Sequence, residues 1–272
     1  MMSRPARLAG FVAFLGLIAG GCTSHAADPV AAAAPSSVAP VSPSAAPSDS
    51  RTPLQILQAG VPTEESPIYR ISIKSAGRPE YGVIDAPDKI AEIGGVSYSD
   101  STYTETTFSL LTGDKSWIKV VGKPAGRSGL PTKWMALDPQ KIKLKNGTPF
   151  LYVAESDPGY TADVFTNATE VDQTSPGHFT GVTDLSDTGA GKILSAAQLK
   201  ALGDKAGHLT FTAVLDGQGR VTSATVRIPA AGKLKAATAV ITYDQYGTAA
   251  KPKLPTAAEQ VKAPSAVYKM YG

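Results

Sequence analysis

Cysteine is almost absent from this chain: Cys22 is the single cysteine among 272 residues. One cysteine excludes an intramolecular disulfide and leaves no set of thiolates for a structural zinc site. The folded part must therefore be held together by its hydrophobic core. About 220 residues follow the N-terminal region, which suffices for one sizeable domain or two small ones. We expect one domain.

Long hydrophobic runs are also missing. The stretch from Leu8 to Gly21 is uncharged but about 14 residues long, shorter than the roughly 20 residues that span a bilayer as a helix. Arg4 and Arg7 precede it, so it has the charge and length of a secretory signal sequence. We predict that residues 1–21 are a signal peptide and not a structural element.

Small residues come directly before the cysteine, in the order Ala19, Gly20, Gly21 and Cys22. This order resembles the lipobox of bacterial lipoproteins, in which the cysteine becomes the lipidated first residue. We predict a lipoprotein whose Cys22 holds it on the extracytoplasmic face of the cell membrane, since two or three acyl chains anchor a protein stably. The alternative is an ordinary secretory signal that is cut near Ala26 and discards Cys22.

The chain has little excess charge. Its 26 Lys and Arg residues face 23 Asp and Glu residues, and removal of Arg4 and Arg7 with the signal peptide leaves 24 basic residues. No polybasic field remains that would attract nucleic acid. We therefore expect no nucleic-acid partner.

Residues 22–52 consist mainly of Ala, Pro, Ser and Val. No helix can run through this segment, because prolines recur at Pro29, Pro35, Pro40, Pro43 and Pro47. Such a segment favours extended polyproline II structure at about 3.1 Å per residue. We interpret residues 22–52 as the lipidated cysteine followed by a tether, and residues 53–272 as the folded domain.

The parts of common catalytic sites are missing. The sequence contains neither G-x-S-x-G nor K-T-G, and His178 and His208 are the histidines of the expected domain. An S-x-x-K pattern occurs at Ser116 and Lys119, but in penicillin-recognising enzymes this serine begins a helix, whereas here a strand is predicted. We predict no enzyme activity, no catalytic residue, no metal site and no cofactor.

What the sequence does contain is a succession of strand patterns, in which apolar and polar residues alternate with period two. The predicted strands are Tyr69–Ile73, Tyr81–Asp85, Thr102–Leu111, Ser116–Val121, Lys133–Pro139, His178–Leu185, Leu209–Leu215, Val221–Ile228 and Ala239–Tyr243, with a further hairpin around Asn146-Gly147 within Ile142–Val153. No βαβ alternation occurs. The pattern predicts an α+β domain built on a large, curved, antiparallel sheet.

Few helices interrupt these strands. The capping and stop residues predict helices over Pro53–Gly60 and over Ser195–Gly203. A third helix is expected to open at Asp157-Pro158, and a short one with capping-box spacing is expected at Thr256–Glu259, before Pro264. The stretch from Pro87 to Ile93 is predicted as a turn or helical turn.

The order of several motifs carries a family resemblance. After Cys22 and the tether come Tyr81–Asp85, Gly113–Val120, Trp134–Pro139, Phe179–Leu185 and Leu215–Val221. In this order they resemble the actinobacterial LppX/LprG lipoproteins, which share the LolA-like fold, over most of residues 53–272. The resemblance implies an incomplete (half) β-barrel with short helices on its concave side and an apolar cavity that takes acyl chains. The segment Lys141–Val153, which has a hairpin pattern, departs from the helices expected there.

The expected function follows from this resemblance and from incomplete cover of the inner face. Each buried methylene contributes roughly 0.8 kcal/mol, so an acyl chain binds an apolar cleft without strong polar contacts. We expect a monomeric carrier of an acyl lipid or glycolipid, with an envelope transporter as a partner. The candidate cavity residues are Ile71, Ile73, Phe108, Leu110, Trp117, Phe211 and Leu215. The alternative is a non-catalytic envelope interaction or sensing module whose cavity is filled by its own side chains.

Lipidation is testable at Cys22. In an exporting bacterial host, Cys22→Ser is expected to abolish incorporation of labelled palmitate and to remove the protein from the acylated membrane fraction, whereas Ser24→Ala, two residues away, should change neither. Label that persists in the Cys22→Ser protein would show that the lipid is attached elsewhere.

Overall fold

A sheet of twelve strands organises the part of the chain that the computed structural model describes, which is residues 50–75, 79–142, 150–153, 157–187 and 193–269. The strands are β1 (Tyr69–Lys74), β2 (Glu80–Asp85), β3 (Ile90–Ser99), β4 (Thr104–Leu111), β5 (Ser116–Lys123), β6 (Trp134–Ala136), β7 (Ala168–Ser175), β8 (His178–Thr183), β9 (Leu209–Leu215), β10 (Val221–Ile228), β11 (Ala237–Asp244) and β12 (Gln260–Lys262). The helices are α1 (Pro53–Ala59), α2 (Thr161–Thr166), α3 (Ala196–Leu202) and α4 (Ser265–Tyr268). Cys22 and most of the predicted tether and Asn-Gly hairpin lie outside the described residues.

The strands follow the order β12-β6-β5-β4-β3-β2-β1-β11-β10-β9-β8-β7. Every neighbouring pair is antiparallel except β12 and β6, which are parallel. The protein is therefore an α+β protein with a large, open, mostly antiparallel sheet and a few short helices. None of the helices in the described ranges has the length and apolar character needed to cross a membrane.

The hairpin of β9 and β10 shows how the sequence pattern produces the sheet. Phe211 and Ala213 are buried, whereas Thr210 and Thr212, which alternate with them, are exposed, as the sequence pattern predicts. The turn is closed by Asp216, whose Oδ1 accepts the backbone N–H groups of residues 218 and 220 at 2.9 and 3.0 Å. These bonds are typical of an aspartate-initiated turn.

Two of the predicted helices begin as the sequence indicates. Thr52 caps α1 and Ser195 caps α3, and in each case a glutamine three residues later completes a capping box. These reciprocal bonds satisfy N–H groups that would otherwise lack partners at the start of a helix. The N-terminal boundaries of α1 and α3 are thus confirmed.

Two sequence predictions were wrong, and one strand was missed. Residues from Pro87 onwards form only a brief turn, and β3 begins at Ile90. The helix expected after Asp157-Pro158 is present as α2, which begins at Thr161. The strand that follows it, β7, was missed because an exposed edge strand of Thr, Glu, Asp and Gln lacks apolar alternation. The Glu259 carboxylate accepts from the Thr256 backbone N–H and hydroxyl, which is half of a capping box, but the chain then enters β12 and the helix follows Pro264.

One face of the sheet carries both apolar clusters, and we call it the core face. Directly opposed residues of antiparallel strands point to the same side. The register therefore places Ile71, Ile93 and Ile118 on one face, through the pairs 71↔82↔93↔109↔118. Ile71 belongs to the main cluster, to which α1, α2 and α3 also contribute. Ile118 belongs to a smaller cluster that includes Met135 and, from α4, Val267. The opposite side is called the outer face.

A buried polar network attaches α2 to the sheet. The Asp157 carboxylate accepts four hydrogen bonds: from the Tyr243 hydroxyl at 2.7 Å, the Thr161 hydroxyl at 2.8 Å, and the backbone N–H groups of Gly159 and Ala162 at 2.9 Å each. Tyr243 lies on β11 and is almost fully buried. Burial, with the nearby Asp157 charge as a second cause, raises the pKa of the Tyr243 hydroxyl well above its ordinary value. The hydroxyl therefore stays protonated and serves as a donor.

Removal of this donor should loosen α2. Tyr243→Phe is expected to lower the free energy of unfolding by about 2 kcal/mol, because the half-buried Asp157 carboxylate loses a hydrogen bond from a buried donor. It should lower Tm by roughly 4–8 °C in a domain of this size. Tyr98→Phe is the matched control, since its hydroxyl bonds Asp100 at the surface, and it should leave Tm nearly unchanged. Equal effects of the two substitutions in thermal and urea unfolding would contradict the role of the network.

Candidate functional site

Four of the seven predicted cavity residues lie together on the core face. Ile71, Ile73, Phe211 and Leu215 are all buried members of the main cluster. Phe211 also contacts Phe165 of α2, with ring centroids 5.7 Å apart. The structure thus brings these four residues beneath the short helices.

The other three, Phe108, Leu110 and Trp117, lie on the outer face. Leu110 of β4 is paired with Trp117 of β5, whereas the core-face residue Ile118 is paired with Ser109. Leu110 and Trp117 are each one residue away from these core-face positions, so they point to the opposite face. Period-two alternation identifies two faces within each strand but does not say which face of one strand matches which face of the next. For this reason the sequence grouped residues that the register separates.

A segment that follows β11 crosses the outer face near Leu110 and Trp117. At one end, Lys251 forms ion pairs with Asp88 and with Asp85, the latter at 3.4 Å. At the other end, the Trp117 Nε1–H donates to the Gln260 side chain at 2.8 Å. Leu110 lies between these two attachment points in the register and is completely buried.

A recess of about 380 Å³ opens beside α1 and α2, and we call it the helix recess. Its lining residues are Gln58, Val61, Pro62, Thr63, Glu64, Asp157, Ala162 and Thr166. Val61 is half-buried and also packs against the main cluster. The helix recess is therefore a place where the main cluster reaches the surface.

A second depression of about 450 Å³ lies on the outer face, and we call it the outer groove. Its lining residues are Tyr81, Glu92, Thr104, Thr106, Phe108, Lys119, Val121, Lys123 and Trp134, so it crosses from β2 to β6. Tyr81 and Phe108 meet edge to face at 6.0 Å between ring centroids. The Lys119 ammonium lies 5.9 Å from the centre of the Trp134 ring, within the range of cation–π attraction.

Gly94 allows the rings of the outer groove to lie against the sheet. A Cβ atom at this position would come within 2.7 Å of Phe108 Cδ1 and 3.3 Å of Tyr81 Cζ. Any side chain at residue 94 would therefore displace both rings.

Glu92 is the polar centre of the outer groove. It is half-buried, and this burial raises the pKa of its carboxyl above the ordinary value, with the Lys119 charge partly offsetting the effect. In the described part of the chain its carboxylate accepts no hydrogen bond. A partly buried carboxylate that accepts no hydrogen bond destabilises the free protein and is a feature of functional sites.

The S-x-x-K pattern does not form a serine–lysine pair. Ser116 shares the core face with Ile118, whereas Lys119 lies on the outer face in the outer groove. His178 and His208 are exposed. The described residues contain no group of three or more His, Cys, Asp or Glu side chains that could hold a metal ion.

Sequence reasoning missed the outer groove. Phe108 was a predicted cavity residue, but Lys119 was considered only in the S-x-x-K pattern and in a family motif. Tyr81 and Trp134 were considered only as members of strands and family motifs. The available signal was the mixed character of these strands, where a charged residue occupies the same face as aromatic residues of the neighbouring strands. This pattern can be recognised only when the strands are aligned in their correct register.

Comparisons with known proteins leave the family open. No family model matches the chain, and no curated protein matches it. A solved structure of the hypothetical protein CT021 from Chlamydia trachomatis is 11% identical and covers 76% of this chain and 98% of its own, with a TM-score of 0.26. At that TM-score the similarity supports no inference about fold or function.

The half-buried Glu92 carboxylate is expected to lower the free energy of unfolding, and this can be tested. The pKa of the Glu92 carboxyl is higher in the folded state than in the unfolded state, so the folded state binds more protons. The free energy of unfolding therefore falls as the pH rises from the ordinary carboxyl pKa towards the raised pKa. Glu92→Gln should therefore be more stable than wild type at pH 7 and about equal at pH 3. The measurement is urea unfolding at both pH values, with Glu170→Gln on exposed β7 as the control. A Glu92→Gln protein that is less stable at pH 7 would contradict this.

Proposed function

We propose that the chain is a membrane-anchored extracytoplasmic lipoprotein of LolA-like fold, lipidated at Cys22, that binds an acyl lipid by apolar burial. The observation that supports lipid binding best is the helix recess, where the main cluster reaches the surface beside two short helices. The anchor rests on the signal-like residues that precede Cys22.

The size and lining of the helix recess suit an acyl chain. Its volume of about 380 Å³ falls within the 300–1,000 Å³ common for ligand pockets. A ten-carbon stretch gains about 8 kcal/mol from burial before the cost of its immobilisation. Glu64 and Gln58 stand at the lining beside Val61 and Pro62, so an acyl chain would lie on apolar atoms while its polar end stays near polar side chains.

The two helices beside the recess are short enough to yield to a ligand. α1 has 7 residues and α2 has 6, and helices of this length owe their stability to tertiary packing. α1 moves at the lower cost of the two, because it has one buried residue, Leu57, whereas α2 is held by the Asp157 network. Binding of a longer chain would then widen the recess towards Phe165 without unfolding the sheet.

Dense packing favours the second candidate, a non-catalytic interaction module in the envelope. Leu57 and Phe165 directly precede the lining residues Gln58 and Thr166 and are completely buried in the main cluster. A core filled in this way leaves the protein's own side chains where a lipid would lie. An envelope protein, and not a lipid, would then be its partner.

The mass of the purified protein distinguishes the two candidate functions, because a bound lipid adds to it. Residues 23–272 keep the whole compact unit Asp49–Gly272 and remove the covalent anchor at Cys22. Native mass spectrometry after expression in a bacterium, followed by solvent extraction, should show a reproducible excess that extracts as lipid. Val61→Trp, which fills the helix recess, should reduce the lipid-bound fraction at least about tenfold, while Leu254→Trp at an exposed site should not.

A clean apo mass, with no binding when fatty acid or phospholipid is titrated in, would overturn the carrier proposal and favour the interaction module. Lipid that remains fully bound in Val61→Trp would place the lipid site outside the helix recess. Circular dichroism of both variants establishes that the comparison is made between folded proteins.

A further inference from the structure

We propose that the outer groove is a carbohydrate-binding site, in which Tyr81, Phe108 and Trp134 form an apolar floor and Glu92 and Lys119 bind sugar hydroxyls. The groove lies on the face of the sheet opposite the two apolar clusters. The proposal is therefore independent of lipid binding at the helix recess.

The floor of the groove presents aromatic surface to solvent. Tyr81 is 48% exposed, and Phe108 and Trp134 are half-buried. Aromatic side chains combine a large apolar face with low conformational entropy, so they bind other flat apolar surfaces well. The two C–H faces of a sugar ring are such surfaces. Gly94 leaves the space in which the Tyr81 and Phe108 rings adopt this arrangement.

The polar groups of the groove supply both acceptors and donors. The Glu92 carboxylate is an acceptor without a hydrogen bond, and Lys119 and Lys123 form no ion pair within the described residues. Thr106 adds a hydroxyl on β4, which both donates and accepts. A ligand that fits must therefore carry donors and acceptors together, close to an apolar surface.

Other ligand classes leave some of these groups unsatisfied. An anion is repelled by Glu92, and a cation is repelled by Lys123 and by Lys119, which already faces the Trp134 ring. A purely apolar ligand would bury the Glu92 carboxylate at a high desolvation cost. A peptide strand would need unpaired backbone groups, and those of β3 and β4 along the floor of the groove are paired on both sides.

A polyhydroxylated ring satisfies all of them. A hydroxyl donates to the Glu92 carboxylate and accepts from the Lys119 ammonium at the same time. The row Tyr81, Gly94, Phe108 and Lys119 crosses four strands, which spans about 14 Å at the usual strand spacing. The groove is thus longer than one sugar ring, and the expected ligand is an oligosaccharide.

The chain contains a built-in reporter for this site. It has two tryptophans, of which Trp117 is buried under the segment after β11 and Trp134 lines the groove. In Trp117→Phe, emission comes from Trp134 alone. The full chain is purified in a non-glycosidic detergent and titrated with α-glucan, β-glucan, mannan and arabinan oligosaccharides.

At least one oligosaccharide is expected to change Trp134 emission saturably. Glu92→Gln and Tyr81→Ala should each weaken its affinity at least about tenfold, although Glu92→Gln stabilises the free protein. Glu170→Gln and Tyr98→Ala, which change the same residue types outside the groove, should bind as wild type. If Glu92 had only a structural role, Glu92→Gln would not increase the stability of the protein and at the same time weaken oligosaccharide binding.

Two results would overturn the proposal. One is the absence of binding to every oligosaccharide at millimolar concentration, checked by calorimetry on the wild-type chain so that the Trp117 substitution is not at issue. The other is a Trp134 response to phosphatidylglycerol vesicles that survives Glu92→Gln and is lost in Lys119→Met, which would assign the groove to an anionic lipid surface. Loss of lipid binding at the helix recess leaves either result unchanged.

Discussion

The pairing of β1 with β11 is the constraint on which the rest of the fold depends. The strand order runs β6 to β2 on one side of this pair and β10 to β7 on the other, so two halves of the sheet join where the chain returns after about 170 residues. Buried pairs such as Ile71 with Tyr243 hold the joint. The Arg70–Asp244 ion pair beside them is bidentate, but both side chains are about half exposed, so solvent screens it. Non-local pairing of this kind forms late and slowly in folding.

The joint also determines which side of each strand faces the helices. Once Ile71 is paired with Tyr243, the register of each following strand pair determines which residues lie on the core face, as far as Ile118 on β5. The outer face is then fixed by the same pairing, including the row that contains Glu92 and Trp117. Two surfaces of different chemistry result, one apolar and covered by helices, the other aromatic and charged.

Local chemistry was predictable from sequence and long-range alignment was not. The capped starts of α1 and α3 and the alternation of β9 were confirmed, because caps and side-chain period act within a few residues. β7 was missed because its two apolar residues, Ala168 and Val171, are three positions apart and show no period-two pattern. The proposed groove was missed because Glu92 and Lys119 belong to different strands, and only the register brings them together. The family resemblance drawn from motif order stays a prediction.

The parallel addition of β12 to β6 gives the sheet a protected border. Open sheets expose unpaired N–H and C=O groups at their edge strands, where other chains can attach. At one edge, the last strand of the chain occupies the position next to Trp134–Ala136. At the other edge, β7 carries exposed Glu170 and Asp172, and like charges disfavour strand pairing. The sheet therefore ends in a strand of only three residues at one edge and in a charged strand at the other, and both features limit edge-to-edge pairing.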